Sequence, residues 1–318
     1  MTAVVGGEAA LRQAQGPGSA QGPGSALGPG SAQGPVAPQG PRRRRAQKPL
    51  AWIGEHVVLV ALAVLFLAPV FFVFLTSVMT TNQTLTATIF PNPWTWGNYL
   101  DAFQKVPLLR WFGNSAFYAV GSTVLMLLSS IPAAYVLSRI RFRGASIIFV
   151  AIIVAMLLPP QVTAVPVYVM WSKLGLTGSL LPLILPNALG DAFSIFLLRQ
   201  FFLTIPKEYS DAARIDGNGE WGVLVRVILP MAKPGIAATA IFMFFASWND
   251  YYGPLLYTSE NPQWWPVAYG LATFRSIHGT NWGLTMAITM LVLVPVVVIF
   301  FFAQKVFVEG ITLTGVKG

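Results

Sequence analysis

Val57 to Val78 reads VVLVALAVLFLAPVFFVFLTSV, 22 residues without a charge. Wound as a helix at ~1.5 Å per residue, such a run crosses the ~30 Å hydrocarbon core of a bilayer. The residues just ahead of it have the opposite character. Arg42, Arg43, Arg44, Arg45 and Lys48 follow a tract rich in Gly, Pro and Ser. A cleaved signal peptide is the rival reading, but its apolar region is usually ~7–15 residues long. Here the run is longer and follows a tail of about fifty residues. The stretch therefore reads as an uncleaved first span with its basic side in the cytoplasm.

The rest of the chain extends this reading. Of its 318 residues, 55% are hydrophobic and 10% charged, and the mean hydropathy is +0.63. An ordinary soluble domain is about 25% charged, so this composition excludes a disordered protein, a disulfide-stapled secreted domain and a typical soluble enzyme. Cysteine is absent, which excludes disulfides, thiolate nucleophiles and sulfur-ligated metals. His56 and His278 are the only histidines, too few for a His-rich metal site. The net charge is +9, and residues 1–48 hold six basic residues against the single acid Glu8. Nucleic-acid binding is disfavoured, because that excess lies in a tail before an apolar run and not on the face of a folded domain.

Two domains follow from the composition shift. Residues 1–48 form a Gly/Pro/Ser-rich basic tail, in which Gly16-Pro17-Gly18-Ser19-Ala20 recurs from Gly22 and from Gly28. Such a tract has nothing to bury and is expected to be disordered. Residues 49–318 form the membrane domain. Its apolar runs predict an all-α polytopic protein with six transmembrane helices at about 54–78, 111–138, 145–167, 179–199, 234–257 and 282–304. An even number of spans puts both termini on one side. With that side cytoplasmic, 16 of the 20 Lys and Arg residues fall inside; only Lys105, Arg110, Lys173 and Arg275 fall outside. Trp94, Trp96, Trp111, Trp171, Trp264, Trp265 and Trp282 fall at the expected outer interfaces.

One internal stretch does not suit the bilayer. Residues 200–233, between spans four and five, carry Lys207, Glu208, Asp211, Arg214, Asp216, Glu220 and Arg226. Pro206 suits a helix's first turn, Lys207–Asp216 has good helical content, Ala212 and Ala213 keep one surface small, and Gly217 marks a stop. A short helix-turn-helix then continues towards Pro230. Small exposed residues and mixed charge suit docking to a protein partner.

The spacing Asp211-Ala212-Ala213, three residues, Gly217, nine residues, then Val227-x-Leu229-Pro230 resembles the cytoplasmic "EAA" signature of permease subunits from binding-protein-dependent ABC importers. Asp replaces Glu at 211 and Val replaces Ile at 227, and both changes keep the chemistry. The resemblance covers about residues 50–318 and is closest to the maltose-permease-like, carbohydrate-importing branch. Phe90–Tyr99, Ser247-Trp248-Asn249-Asp250 and the C-terminal Glu309–Gly318 support it. It implies a cytoplasmic coupling helix between helices 4 and 5, a second permease subunit, an ABC ATPase dimer and an extracytoplasmic solute-binding protein. ATP and Mg would be used by the ATPase, with no cofactor bound by this chain and no catalysis in it. Glu208, Asp211, Ala212, Ala213, Arg214, Asp216, Gly217, Leu229 and Pro230 are the expected ATPase-coupling residues. The location implied is the bacterial cytoplasmic membrane, multi-pass, with lipid as a further partner.

Gly217-x-Gly219-x-x-Gly222 formally matches a dinucleotide fingerprint, but it follows a helix and no βαβ pattern surrounds it. No G-x-x-x-x-G-K-[ST] motif occurs. Asp191 and Asp250 stand inside apolar spans, where a carboxylate is costly. Two readings are open for each, a contact on the substrate path or a hydrogen-bond anchor between helices. Trp248, Asn249 and Tyr252 beside Asp250, and also Asn114 and Asn187, join the substrate-path candidates, because sugars are held by aromatic stacking plus polar groups. Pro159-Pro160 reads as a helix terminus or as a kink next to a cavity. Arg139, Arg141 and Arg143 read as lipid-headgroup anchors. A non-sugar solute such as a glycerophosphate ester or polyamine, and a stand-alone carrier or channel, are the alternative functions.

Overall fold

The computed structural model describes residues 49–86, 88–277 and 281–315. The tail of residues 1–48 and His278 lie outside the described residues. Two compact units divide the chain at Val57/Val58. Of the first, the described part is the opening of α1, and the following concerns the second.

Among the described residues all regular structure is helical. Helix α1 (Pro49–Ser77) leaves its apolar side chains from Val57 to Phe72 largely uncovered, Phe66 to 75%. A water-soluble fold could not tolerate that stripe, whereas lipid or an apolar partner covers it without cost. Burial begins at the end of α1, at Leu75, Thr76 and Ser77, and continues through Val78 and Met79 just beyond it. Short α2 (Thr81–Thr84) opens with a capping box between Thr80 and Gln83. In α3 (Gly97–Lys105), Asn98 Nδ2 donates to the carbonyls of Ser77 and Met79 at 2.9 and 2.8 Å, closing the end of α1.

Helix α4 (Leu108–Arg139) is the central post. It packs against several later elements, chief among them α8 (Ala192–Thr204), α12 (Lys233–Trp248) and the 3-10 turn 185–189, with α7 (Leu181–Ile184) beside them. Its buried face interleaves large side chains such as Trp111, Met126 and Tyr135 with small or hydroxylated ones, Ser115, Ala119, Ser122, Ser130 and Ala134, all five fully covered. Small residues let helix backbones approach closely inside a membrane, and hydroxyls add bonds between helices. Ser115 Oγ accepts the Val267 N–H at 2.8 Å, and Ser129 Oγ donates to the Asn187 carbonyl at 2.7 Å.

Four helices among the described residues are long and apolar enough to cross a membrane: His56–Ser77, Leu108–Arg139, Leu181–Thr204 and Trp282–Phe302. Two bent pairs would raise the number to six. The first pair is α5 (Ala145–Leu157) and α6 (Pro160–Lys173), which meet at 95°. Pro159 and Pro160 supply no N–H, and a residue before proline is pushed to extended backbone, so the helix stops and restarts. The second pair joins residues 220–231 to α12 at 80°. That segment comprises α10 (Glu220–Val223), a π-turn (Leu224–Ile228) and α11 (Leu229–Met231), and it follows α9 (Lys207–Ile215).

The continuous apolar run expected over 234–257 is interrupted. Helix α12 ends at Trp248 and α13 (Tyr252–Tyr257) starts afresh. Between them, Asp250 Oδ1 accepts the Gly253 N–H at 3.1 Å and Asn249 Nδ2 donates back to the Phe245 carbonyl at 2.8 Å. Such local side-chain bonds compete with the helical ladder. The chain closes with α14 (Val267–Ile277) and α15 (Trp282–Gly315).

Two cores result. Ala102, Leu108, Trp111, Trp248, Val267, Leu284 and Ile288 form one. Tyr135, Leu198, Phe202, Ala213, Val223 and Ile228 form the other, at the α9 end. Trp111, expected at an interface, is thus a core residue whose ring lies over Gly270, so that a Cβ there would come within 2.5 Å of the indole. Gly270→Ala is expected to cost about 1–3 kcal/mol through this overpacking, read as a lowered melting temperature of the detergent-purified protein.

Candidate functional site

Helix α9 is short because both of its ends are set by special residues. Pro206 (φ −56°, ψ 140°) enters it in extended geometry, and Gly217 (φ +84°) leaves it in the left-handed region. At the exit the Gly217 N–H reaches the Arg214 carbonyl and the Asn218 N–H reaches the Ala213 carbonyl, both at 3.0 Å. This pair of bonds is a Schellman stop, which requires a positive φ at its glycine. Asn218 Nδ2 adds a third bond to the Ala213 carbonyl at 3.1 Å.

The helix has two faces. Ser210 and Ala213 are buried, Ala213 in the second core. Glu208, Asp211, Ala212 and Ile215, spaced i, i+3, i+4 and i+7, are exposed on one stripe. Ile215 is 86% exposed and Trp221, just past the stop, 70%. Asp216 and Gly217 are exposed beside them, and among the described residues, chain neighbours apart, no atom lies within 4 Å of where a Gly217 Cβ would sit. Exposed isoleucine and tryptophan on a polar segment mark an unpartnered surface.

Arg214 is held inside the chain. Its Nη1 donates to Asp211 Oδ1 at 2.7 Å, and its Nε and Nη2 donate to the Glu220 carboxylate at 2.9 and 3.2 Å. Glu220 in turn accepts from the hydroxyl of buried Tyr135 in α4 at 2.5 Å. The hydrogen bonds to Glu220, ahead of its charge and of Asp211, hold the Arg214 guanidinium above its ordinary value. A strap of four residues therefore ties α9 to the central post. Leu229 packs on the second core, while Pro230 is exposed in α11.

The Arg139–Arg143 run divides. Arg139 does not extend towards headgroups as expected. Its Nη2 turns inward to the carbonyls of Phe202 and Ile205 at 2.6 and 2.7 Å, where the end of α8 leaves acceptors free. Arg199 of α8 reciprocates to the Leu137 carbonyl at 3.1 Å, with its guanidinium 3.9 Å from the Phe149 ring centre. Arg141 and Arg143 are exposed.

The other candidate residues scatter. Asp250 and Tyr252 line one cavity of about 420 Å³, with Pro160, Gln161, Thr163 and Tyr257 on its other walls. There Tyr118 Oη donates to Asp250 Oδ2 at 2.8 Å. The Pro159-Pro160 break is thus a turn beside a cavity. Asn249 lines a separate space of about 300 Å³ between α1 and α15. Trp248 is buried, stacked on Phe244 with centroids 5.6 Å apart. Asn114 Nδ2 donates to the Gln263 and Trp265 carbonyls at 2.8 and 3.0 Å. Asn187 Nδ2 bonds back to the carbonyls of Leu183 and Ile184. Asp191 caps α8 by accepting from the N–H and Oγ of Ser194 at 2.7 and 2.6 Å. Tyr118, Tyr135, Glu220 and Gln161 were not singled out from sequence. The Tyr118–Asp250 and Tyr135–Glu220 contacts join residues too far apart in the chain for any local pattern to reveal.

Comparison with known proteins agrees with this architecture. Residues 126–312 match the family described as "Binding-protein-dependent transport system inner membrane component". The arabinooligosaccharides transport system permease protein AraQ of Halalkalibacterium halodurans is 34% identical over 229 residues, covering 72% of this chain and 81% of that protein. Its namesake in Bacillus subtilis is 31% identical, covering 81% and 92%. The diacetylchitobiose uptake system permease protein NgcG of Streptomyces coelicolor is 29% identical, covering 79% and 84%. A solved bacterial ABC transporter involved in alginate import shares the fold, with a TM-score of 0.71 at 23% identity over 81% of this chain and 96% of that one. The chain belongs to the binding-protein-dependent inner membrane components and is a membrane-spanning permease subunit of an ABC importer.

Proposed function

We propose that this subunit helps to import an oligosaccharide, with α9 as its coupling helix. The names of the most similar relatives, arabinooligosaccharide and diacetylchitobiose permeases, support the substrate class. The observation that carries the coupling role is the exposed stripe of α9, ended by a left-handed glycine with open space above it. The helix sits in a groove of one ATPase of an ABC dimer. Glu208, Asp211, Ala212, Asp216 and Gly217 face that groove. Ala213, Arg214, Leu229 and Pro230 hold the segment's shape. Closure of the ATPases on ATP and Mg, both bound by the partner, moves α9. The Arg214–Glu220–Tyr135 strap then passes the motion to α4.

The membrane domain, residues 49–318, is read as six spans: the four long helices, the bent α5–α6 pair, and α12 continued by α13, with residues 220–231 on the cytoplasmic side. Both termini lie in the cytoplasm of a bacterial cell, a reading that the 16-to-4 split of basic residues supports. A second permease subunit completes the path, and an extracytoplasmic binding protein delivers the sugar. Within the path, Asp250, Tyr252 and Gln161 offer a carboxylate, a phenol and an amide around one cavity.

The test is affinity purification from the native membrane in mild detergent, with mass spectrometry of the associated proteins and ATP-dependent uptake in proteoliposomes. Recovery of an ABC ATPase and a second permease, with uptake of an arabino- or chito-oligosaccharide, is expected. A chain recovered alone, stable and monodisperse, would point to a carrier or channel. A complete complex that moves only a glycerophosphate ester or a polyamine would overturn the sugar assignment. Asp250→Asn is expected to lower sugar uptake about tenfold, the scale for losing one charge-assisted bond to a bound ligand, with little change in ATPase activity.

A further inference from the structure

Where α4 ends and α5 begins, a cleft of about 640 Å³ opens between the connecting loop and α9. It is lined by Arg139, Arg141, Lys207 and Arg214 against Asp211 and Glu220. Both acids already accept from Arg214. Among the described residues, neither Arg141 nor Lys207 has an ion-pair partner. The cleft thus keeps an excess of positive charge.

A second observation points to a ligand. Ser210, 1% exposed, lines the same cleft, and its Oγ has no hydrogen-bond partner. Arg139 Nε, also in the wall, is buried and likewise unpartnered. Buried polar groups are seldom left so, and each one calls for an explanation. Both orphans can donate, and the charged side chains of the lining without an ion-pair partner among the described residues, Arg141 and Lys207, are cations. What is missing is an anionic oxygen acceptor with several lone pairs.

We propose that this cleft is a phosphate site, filled by the phosphodiester of an anionic phospholipid. Position favours the lipid source. The cleft lies at the ends of two apolar helices, where headgroups lie, and basic pockets between membrane helices bind such headgroups. The bound phosphate would bridge the α4–α5 loop to the first turn of α9 through Arg141 and Lys207, with Ser210 donating from below. The lining shares Asp211 and Arg214 with the coupling segment, so lipid retention and ATPase retention are read separately in the test.

The test uses the intact transporter complex, purified in mild detergent and titrated with phosphatidylglycerol or phosphatidylcholine in native mass spectrometry. Retention of phosphatidylglycerol over phosphatidylcholine is expected. Arg141→Gln with Lys207→Gln should weaken it roughly thirtyfold, the usual strength of two basic residues at an anionic surface. Arg143→Gln, outside the cleft, should leave it unchanged. Ser210→Ala guards against misfolding of the double variant. It should preserve the lipid-free melting temperature and reduce the upward shift that phosphatidylglycerol produces. Displacement by inorganic phosphate, lost in the double variant, would keep the phosphate site but make the free anion its source. Equal retention by wild type and the double variant, or equal loss in Arg143→Gln, would overturn the proposal in favour of diffuse surface attraction. No retention of either ligand by the wild-type complex would overturn it in favour of a cleft closed by the ATPase. In all arms the subunit composition is read from the same spectra, so loss of the ATPase is seen separately.

Discussion

Gly217→Asp is expected to abolish uptake while the protein still inserts and folds. Among the described residues the substitution meets no obstacle, since beyond the chain neighbours nothing lies within 4 Å of the new Cβ. The backbone cost is that of a left-handed residue, about 1–2 kcal/mol, partly relieved because Asp tolerates that region better than most. A shift of that size lowers the melting temperature modestly. It does not by itself stop transport. A complete loss therefore has to arise outside the chain, where the side chain and its charge enter the space reserved for the partner. Gly217→Asn separates the two causes. Asn is the common alternative at a Schellman stop, so stability should be nearly restored while bulk against the partner persists. The measurements are ATP-driven uptake in proteoliposomes, the melting temperature, and the amount of ATPase retained on purification. Normal uptake by Gly217→Asp would remove α9 from the coupling pathway.

Glu220→Ala is expected to lower uptake roughly tenfold, within the range that mutations along a coupling network produce, while ATP hydrolysis continues. Glu220 is the joint of the strap, accepting from Arg214 on one side and Tyr135 on the other. It is half-exposed, so its ion pair contributes little to stability by itself. Tyr135, however, is buried, and removing its acceptor leaves a hydroxyl unsatisfied at a cost of about 1–3 kcal/mol. Tyr135→Phe removes that donor too, so the double variant should lose less than the sum of the single losses. A coupling energy on the order of 1–3 kcal/mol is expected for residues in one network. Additivity would show that the strap does not transmit motion. Equal loss of hydrolysis and uptake would show that Glu220 supports ATPase docking instead.

The coupling segment was the most legible part of the chain. Proline and glycine act on their own backbone, so Pro206 and Gly217 announced both ends of α9 with no help from distant residues. Charge in an apolar chain is equally local information, and it set residues 200–233 apart. The substrate-path residues were less legible. An aspartate in an apolar run signals only that some partner exists. Asp191 finds its partner three residues on, in Ser194, whereas Asp250 finds one 132 residues back, in Tyr118. Arg139 shows the same limit. Its spacing from Arg141 and Arg143 suggested one shared role, but free carbonyls at the end of α8 turned it inward.

By itself, the sequence determined what depends on transfer from water and on local backbone chemistry. That includes a membrane-embedded helical chain, the places where proline, glycine and short polar residues interrupt its spans, and the charged segment set apart from those spans. Only the tertiary structure decided which interrupted ends meet. It bent the Pro159-Pro160 break through 95° beside Asp250, joined Glu220 to Tyr135, and left Ser210 without an acceptor in a basic cleft. The physical reason is range. Hydropathy and torsional preference act within a few residues, whereas hydrogen bonds and packing between helices join residues far apart in the chain and depend on how α4 is surrounded.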